Sequence, residues 1–410
     1  MLGSLLLIPL LVALTAVLIP FFARRNKAFS PSIGWGLFWY HVLFWLIYYG
    51  YTLSARSDSK RYFTITDESY DSWSATYTTG TGFVNFVAYP FVKLGFTYEM
   101  MMLLFAWFGY IGFLYFYAFF KENLVFKHKY QKTDLVNILL FLPNMHFWTA
   151  SLGKGSLIFL GLGMAIYSLS RLNKRKVSLF LGLLLIYHVR PHVFLFVLLG
   201  IVVGLFTGKQ KVKTWQKYTV ILAASLALVF MYENIIAFVG LDSENVLESF
   251  DTFSSTRSKE LARTAGSGVD TSNYPLLLKL VTFWFRPLFF DAPGLLGLFV
   301  SLENLFYIIV SWNLLNRRFI PFLIKGPALM KTSLVIFVVA SVALSTTMSN
   351  LGIIIRQKSQ VMYFFFFTVL MFLDWKRMQE YKEKAAALMK REAKKNLTNL
   401  HGDSAATAKI

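Results

Sequence analysis

Residues 177–206 read VSLFLGLLLIYHVRPHVFLFVLLGIVVGLF, an apolar run interrupted by Tyr187-His188-Val189-Arg190-Pro191-His192. A guanidinium in hydrocarbon costs roughly 3 kcal/mol or more, so an arginine there faces a water-filled cavity or a partner. Proline has no N–H and cannot continue a helix, and it drives the preceding residue out of the helical region. The stretch is either one long span or a hairpin broken at Arg190-Pro191. The flanking basic loops decide. Arg171, Lys174, Arg175 and Lys176 precede it, and Lys209, Lys211, Lys213 and Lys217 follow it. One span would put these loops on opposite sides of the membrane, whereas a hairpin keeps both inside, as the bias of cytoplasmic loops toward Lys and Arg requires. At ~1.5 Å per residue the arm 177–187 covers about 16 Å, roughly half of a ~30 Å hydrocarbon layer. The His188–His192 tip is therefore expected below the outer surface, in a recess open to the outside.

The rest of the chain is of the same kind. Of 410 residues, 56% are apolar, 18% aromatic and only 15% charged, with a mean hydropathy of +0.54. Many runs approach the ~20 apolar residues needed to cross a bilayer. The absence of cysteine excludes disulfides, thiolate metal sites and thiol catalysis.

Leu2–Phe22 has no basic residue before it and Arg24, Arg25 and Lys27 after it, the reverse of a cleaved signal, so the N-terminus is expected outside. Further spans are expected at Ile33–Leu53, Met100–Phe120, Leu135–Ser151, Ser156–Ser170, Tyr218–Gly240, Gly294–Leu315, Ser333–Ser349 and Val361–Leu373. The chain is thus read as an all-α, polytopic transmembrane helical bundle of about eleven spans, counting the two hairpin arms, with broken, short-armed hairpins. Residues 1–373 form the membrane domain, with two large outer loops at 54–98 and 241–293. The second half of the first loop, Gly82–Tyr98, reads as an interfacial helix. Residues 374–410 read as a basic amphipathic helix with a disordered polar tail on the cytoplasmic side. In this topology nearly all of the +20 net charge falls on the inner loops and the outer face is neutral. The basic excess is topological, and nucleic-acid binding is set aside.

The inner loops are short and basic, the ordinary anchoring pattern, so function is expected on the outer face. There lie Arg61, Lys154, Arg190, Arg286, Arg356 and Lys358. Any one of them can simply snorkel. Arg190, Arg286 and Arg356 stand out because their settings are apolar or aromatic, with only Asp291 as a local acid. His146, His188 and His192 invite a metal, but Pro191 breaks the helix that would align His188 with His192. Asp67, Glu68 and Asp71 read better as a solvated face than as ligands of a divalent cation. No nucleotide fingerprint, Ser-His-Asp set or complete phosphate loop is present, so no cofactor and no metal are expected. What remains is a set of cations around an outward recess, with Trp73, Tyr77, Trp148 and Trp284 as sugar-stacking or membrane-belt residues.

Phe141-Leu-Pro-Asn-Met-His-Phe-Trp-Thr-Ala-Ser-Leu-Gly-Lys154, Val189-Arg190-Pro191-His192, Phe283–Asp291 and Asn350-Leu-Gly-Ile-Ile-Ile-Arg356-Gln-Lys358 together resemble the repeat-unit polymerases of bacterial O-antigen and exopolysaccharide. The resemblance covers the architecture of nearly the whole chain, and its motifs about a quarter of it. It implies a glycosyltransferase of the bacterial inner membrane that moves a growing glycan from undecaprenyl pyrophosphate onto another lipid-linked repeat. Membrane lipids and other polysaccharide-assembly proteins would be its further partners. Arg190, His192, Arg286 and Arg356 would be catalytic. Lys154, His188, Asp58, Arg61, Lys358, Trp148 and Trp284 would bind substrate. His192, His188 and Asp58 remain open as the general base, which must reach the acceptor hydroxyl. Other readings are a lipid-phosphate-sugar glycosyltransferase relying on Asp58, Asp67, Glu68 and Asp71, a transporter or flippase of lipid-linked sugars, and a structural partner in an envelope complex.

Overall fold

The computed structural model describes residues 2–55, 57–208, 214–239, 274–292, 294–347, 351–358 and 360–407. The fold is almost wholly helical. A two-residue pairing of Lys129–Tyr130 with Thr133–Asp134, turned at Gln131, is the sheet structure among the described residues. Most of the segment 241–293, read as the second outer loop, lies outside the described residues.

The chain opens with α1 (Leu2–Arg25) and α2 (Pro31–Ser54), the latter started by a proline in its first turn, where a missing N–H does no harm. The segment 54–98, read as the first outer loop, folds into α3 (Asp58–Glu68) and α4 (Thr81–Lys93). A helix thus covers most of the stretch read as interfacial, and it ends at Lys93, just before Gly95 adopts a positive φ of 87°. The central helix α5 (Tyr98–Asn123) packs against α1, α2 and α8 (Lys154–Leu169).

Leu135–Ser151, read as one span, is instead two short helices, α6 (Leu135–Leu140) and α7 (Pro143–Thr149). Pro143 explains the correction, because it cannot supply an N–H to a helix arriving from Leu140.

The stretch 177–206 is broken as expected. Helix α9 (Lys176–Val189) ends where Arg190 takes φ −151° and ψ 87°, and Pro191 starts α10 (Pro191–Thr207). The two arms seat on different helices. In α9, a Cβ on Gly182 would stand 2.9 Å from the carbonyl oxygen of Gly161 in α8, so only glycine permits that approach. In α10, Gly200 and Gly204 bring the arm onto the backbone around Thr332 of a later helix. The arms therefore diverge from their shared tip.

Beyond α11 (Thr214–Val239) the described chain resumes at residue 274. Leu276–Phe285 is a helix, α12, with Phe283 fully buried, because its apolar run packs on α15. Then come α13 (Gly294–Ser311), α14 (Phe319–Lys325), α15 (Ala328–Thr347), the short α16 (Leu351–Lys358) and α17 (Met362–Thr407). Helix α17 passes Asp374 without a break and carries through the residues read as a disordered tail up to Thr407, in keeping with its Ala, Lys, Glu and Leu content.

Among the described residues, four helices are long and apolar enough to cross a membrane: Gly3–Arg25, Tyr98–Asn123, Gly294–Leu314 and Ala328–Thr346. Leu5, Leu6, Leu10 and Val17 of the first, like Phe299 and Leu302 of the third, point out of the bundle. Such apolar outer faces suit lipid, and the chain is a helical membrane protein. Helix α2 has the length, with 24 residues, but its Trp, Tyr and His side chains dilute its hydropathy.

Candidate functional site

The α9–α10 break presents its polar residues to a ring of other elements. Arg190 is fixed by its backbone: its N–H donates to Ile186 O at 2.8 Å, and its carbonyl accepts from Val193 at 3.0 Å. Its guanidinium is 7% exposed and donates through Nη1 to Gln357 Oε1, while Nε, also buried, has no partner among the described residues. Gln357 belongs to α16, and the same helix brings Arg356. Arg356 Nη1 donates to Asp58 Oδ2 at 2.9 Å, and its Cζ lies 5.8 Å from the centre of the Trp148 ring. Lys154, half-buried at the start of α8, is close enough to feel the charges of Arg190, Arg356 and Asp58.

Elements of the segment 54–98 pack around the break. On α3, Tyr62 is buried, and a Cβ on Gly153 would stand 3.3 Å from its ring. Burial and then Asp58 push the Tyr62 phenol up, against the pull of Arg356, of a hydrogen bond from Thr81 and of Arg190, so its hydroxyl stays protonated. Gly80 closes over the tip: its N–H donates to His188 O at 2.7 Å, and a Cβ there would stand 3.5 Å from Lys154 Nζ. His188 has both ring nitrogens engaged. Nδ1 donates to Leu184 O at 2.8 Å, so Nε2 must accept from the Tyr77 hydroxyl at 2.6 Å.

Arg190, Arg356 and Lys154 thus meet with Asp58 as the one carboxylate paired among them in the described residues. Like charges held together repel, so the arrangement favours an anion with several acceptor oxygens.

A second cluster takes the other predicted cations. Lys358 is fully buried, and its ammonium donates to Asn304 Oδ1 at 2.5 Å, to Arg286 O at 3.0 Å and to Trp284 O at 3.3 Å. Arg286 Nε pairs with Asp291 Oδ2 at 2.5 Å. Glu303, 5% exposed, accepts from the Asn144 N–H at 2.5 Å and the Tyr307 hydroxyl at 2.8 Å. Trp284 stacks on Phe337 and donates to Ser341 Oγ at 2.9 Å, so its ring is used in packing α12 on α15.

Of the sequence candidates, Arg190, Arg356, Lys154, Asp58, Trp148 and His188 come together, while Arg286, Lys358 and Trp284 belong to the second cluster. Arg61 stands exposed on α3, one turn after Asp58. His192 turns its ring onto Phe196, the next turn of α10. The three histidines do not converge. His146 Nδ1 lies 2.8 Å from Nδ1 of buried His41, and among the described residues no group of three His, Asp or Glu gathers. Sequence reading missed Tyr62, Gln357 and Asn144. Glu303 is the lone acid in the apolar run 294–315.

No protein-family model matches the chain, and comparison with curated proteins and with solved structures finds no similar protein.

Proposed function

We propose that the chain is a membrane glycosyltransferase that polymerises undecaprenyl-pyrophosphate-linked oligosaccharide repeats into a surface polysaccharide on the outer face of the bacterial inner membrane. In this reading it crosses the membrane about eleven times, with its N-terminus outside and its C-terminus in the cytoplasm. The hairpin tip lies below the outer surface, and the recess opens outward.

The observation that carries the proposal is the meeting of Arg190, Arg356 and Lys154 around Asp58. A guanidinium fork binds phosphate oxygens in pairs, and fixed cations stabilise the charge that develops on a departing pyrophosphate. Trp148, which borders Arg356, offers an aromatic face to a sugar.

The test supplies purified chain with lipid-pyrophosphate-linked repeats and looks for a ladder of longer products. A ladder is expected, and Arg190→Ala should abolish it. Movement of lipid-linked material between leaflets without a ladder would replace this reading with transport. Full activity in Arg190→Lys would remove the paired-donor role.

A second reading, a lipid-phosphate-sugar glycosyltransferase centred on the acids of the first outer loop, gains from the presence of Asp58 in the recess. It requires Asp58→Asn to abolish glycan output while Arg190→Ala preserves it.

A further inference from the structure

Two arginines of the described chain are buried to the same degree and partnered differently. Arg175 is 8% exposed; its Nη1 donates to Tyr167 O at 2.8 Å and its Nη2 to Glu122 Oε2 at 2.8 Å. That is the usual condition of a buried guanidinium, whose charge is met by a carboxylate. Arg190 is 7% exposed, and the side chain that receives its Nη1 is the neutral amide of Gln357. Glutamate has nearly the same size and shape as glutamine and would fill the same place. The choice of an amide therefore calls for a reason.

Arginine has only donors, so the Gln357 side chain must turn Oε1 toward it and Nε2 away. The amide oxygen holds one corner of the planar fork and cancels none of its charge. A carboxylate in the same place would take two donors side by side and neutralise the guanidinium. An apolar side chain would leave the charge intact but the fork undirected. The backbone at Arg190 is fixed by its bonds to Ile186 and Val193, yet the side chain still turns about several bonds beyond Cα.

The acceptor is itself held in place. Gln357 is 9% exposed, and α16 is fastened on either side of it. Asn144 Nδ2 donates to Ile355 O at 3.3 Å, and the Gln357 carbonyl accepts from the Gln360 N–H at 3.1 Å. Ile354 and Ile355 are buried. An oxygen carried by so fixed an element can orient a guanidinium. Arg190 thus keeps its charge in a recess where Arg356 is near enough to repel it, and its Nε has no acceptor among the described residues.

We propose that Gln357 is the positioning residue of Arg190: its amide oxygen orients the guanidinium and leaves the charge and the remaining donors, Nε among them, to the diphosphate of the donor substrate. This rests on the polymerase reading above. The amide also sets a preference. A recess that keeps the whole charge of Arg190 gains most on a highly charged head, so a carboxylate at position 357 would penalise a diphosphate more than a monophosphate.

The experiment measures binding of inorganic pyrophosphate and of inorganic phosphate to the full chain in lipid nanodiscs by calorimetry. The unfolding midpoint, and kcat and KM for lipid-linked repeats, are measured in parallel. The variants are Gln357→Glu, Gln357→Met and Arg190→Ala, with Gln379→Glu on α17 as a control for added negative charge. Gln357→Glu keeps an acceptor of the same shape, so its midpoint should hold. Its pyrophosphate binding should weaken about thirtyfold and its phosphate binding about threefold, the penalty growing with the charge of the anion. Gln379→Glu should stay near wild type. Gln357→Met keeps the charge and loses the acceptor. Its pyrophosphate binding should stay within about threefold of wild type while kcat falls about tenfold or more, as when a group at the reacting centre is slightly misplaced. A residue that only fills space does not divide binding from kcat in this way. Pyrophosphate bound by Gln357→Glu as tightly as by wild type would overturn the proposal, and this result decides even where Gln357→Met unfolds. Full kcat in Gln357→Met would overturn it too, as would a fallen midpoint in Gln357→Glu with both anions lost alike. Equal failure of wild type and Arg190→Ala to bind pyrophosphate would remove the phosphate reading, and this inference with it.

Discussion

Helix α16 is eight residues long, and its side chains meet two opposite fates. Lys358 enters the cluster of Asn304, Arg286 and Trp284, where its ammonium donates to an oxygen of each of the three residues. Arg356 and Gln357, its near neighbours, enter the recess at the hairpin tip. There Arg190 is buried almost as deeply as Lys358, yet one of its donors is left without an acceptor among the described residues. The difference separates two uses of a buried cation. Where the protein supplies every acceptor, the charge is part of the architecture. Where a buried donor has no acceptor among the described residues and like charges gather, the arrangement suits the anion proposed above.

The comparison breaks most sharply at Lys358. Lys358→Ala should destabilise the protein by about 3–5 kcal/mol, because it leaves the Asn304 and carbonyl acceptors unpaired and Glu303 without its nearby cation. Thermal unfolding in detergent reads this as a large fall in midpoint. Turnover per folded molecule at low temperature should stay near wild type. An unshifted midpoint with lost turnover would move Lys358 into the reacting machinery.

Arg190→Ala should do the reverse. Turnover should fall about 10²–10³-fold, as when a donor to a developing oxyanion is removed, with little change in unfolding midpoint because an unmet buried donor disappears with the side chain. If Arg190→Ala instead lowers stability as much as Lys358→Ala, the two clusters are of one kind and the distinction drawn here fails.

The break that creates the recess was legible in the sequence because it rests on local chemistry: an arginine followed by proline inside an apolar run, with basic loops on either side. The same logic applied at Pro143 would have divided Leu135–Ser151 into α6 and α7, but there no charge drew attention to the proline. Long-range pairing was out of reach. Arg286 and Arg356 carry the same charge in similarly apolar surroundings, and only the fold assigns one to Asp291 and the other to Asp58. Gln357 gave no signal, since a neutral amide between two conspicuous cations looks like filler until it is seen against Arg190. Glu303 gave a signal that composition could not use. Its partners, Asn144 and Tyr307, include one 159 residues away.

The seating of the hairpin arm offers a milder test. A side chain at Gly182 would collide with the backbone of Gly161 and Ala165, so Gly182→Val should push α9 from α8 and cost about 1–3 kcal/mol. Turnover is expected to fall further than the midpoint shift alone explains, since the arm carries Arg190. A midpoint shift with turnover per folded molecule intact would mean that the recess tolerates movement of its floor.

The smallest effect is expected at the rim. Tyr77→Phe removes the hydroxyl that donates to His188 Nε2 and leaves the Gly80 bond to the His188 carbonyl in place. The lost hydrogen bond is worth about 1 kcal/mol, and the orphaned nitrogen adds to it if no water reaches it. Tyr77 keeps 52% of its surface exposed, so water does reach the neighbourhood. The substitution should leave kcat within about threefold of wild type and raise hydrogen exchange at the Gly80 amide modestly, because one of the two bonds tying this segment to the tip is gone. A loss of kcat comparable to that of Arg190→Ala would instead make the Tyr77–His188 pair part of the proton path.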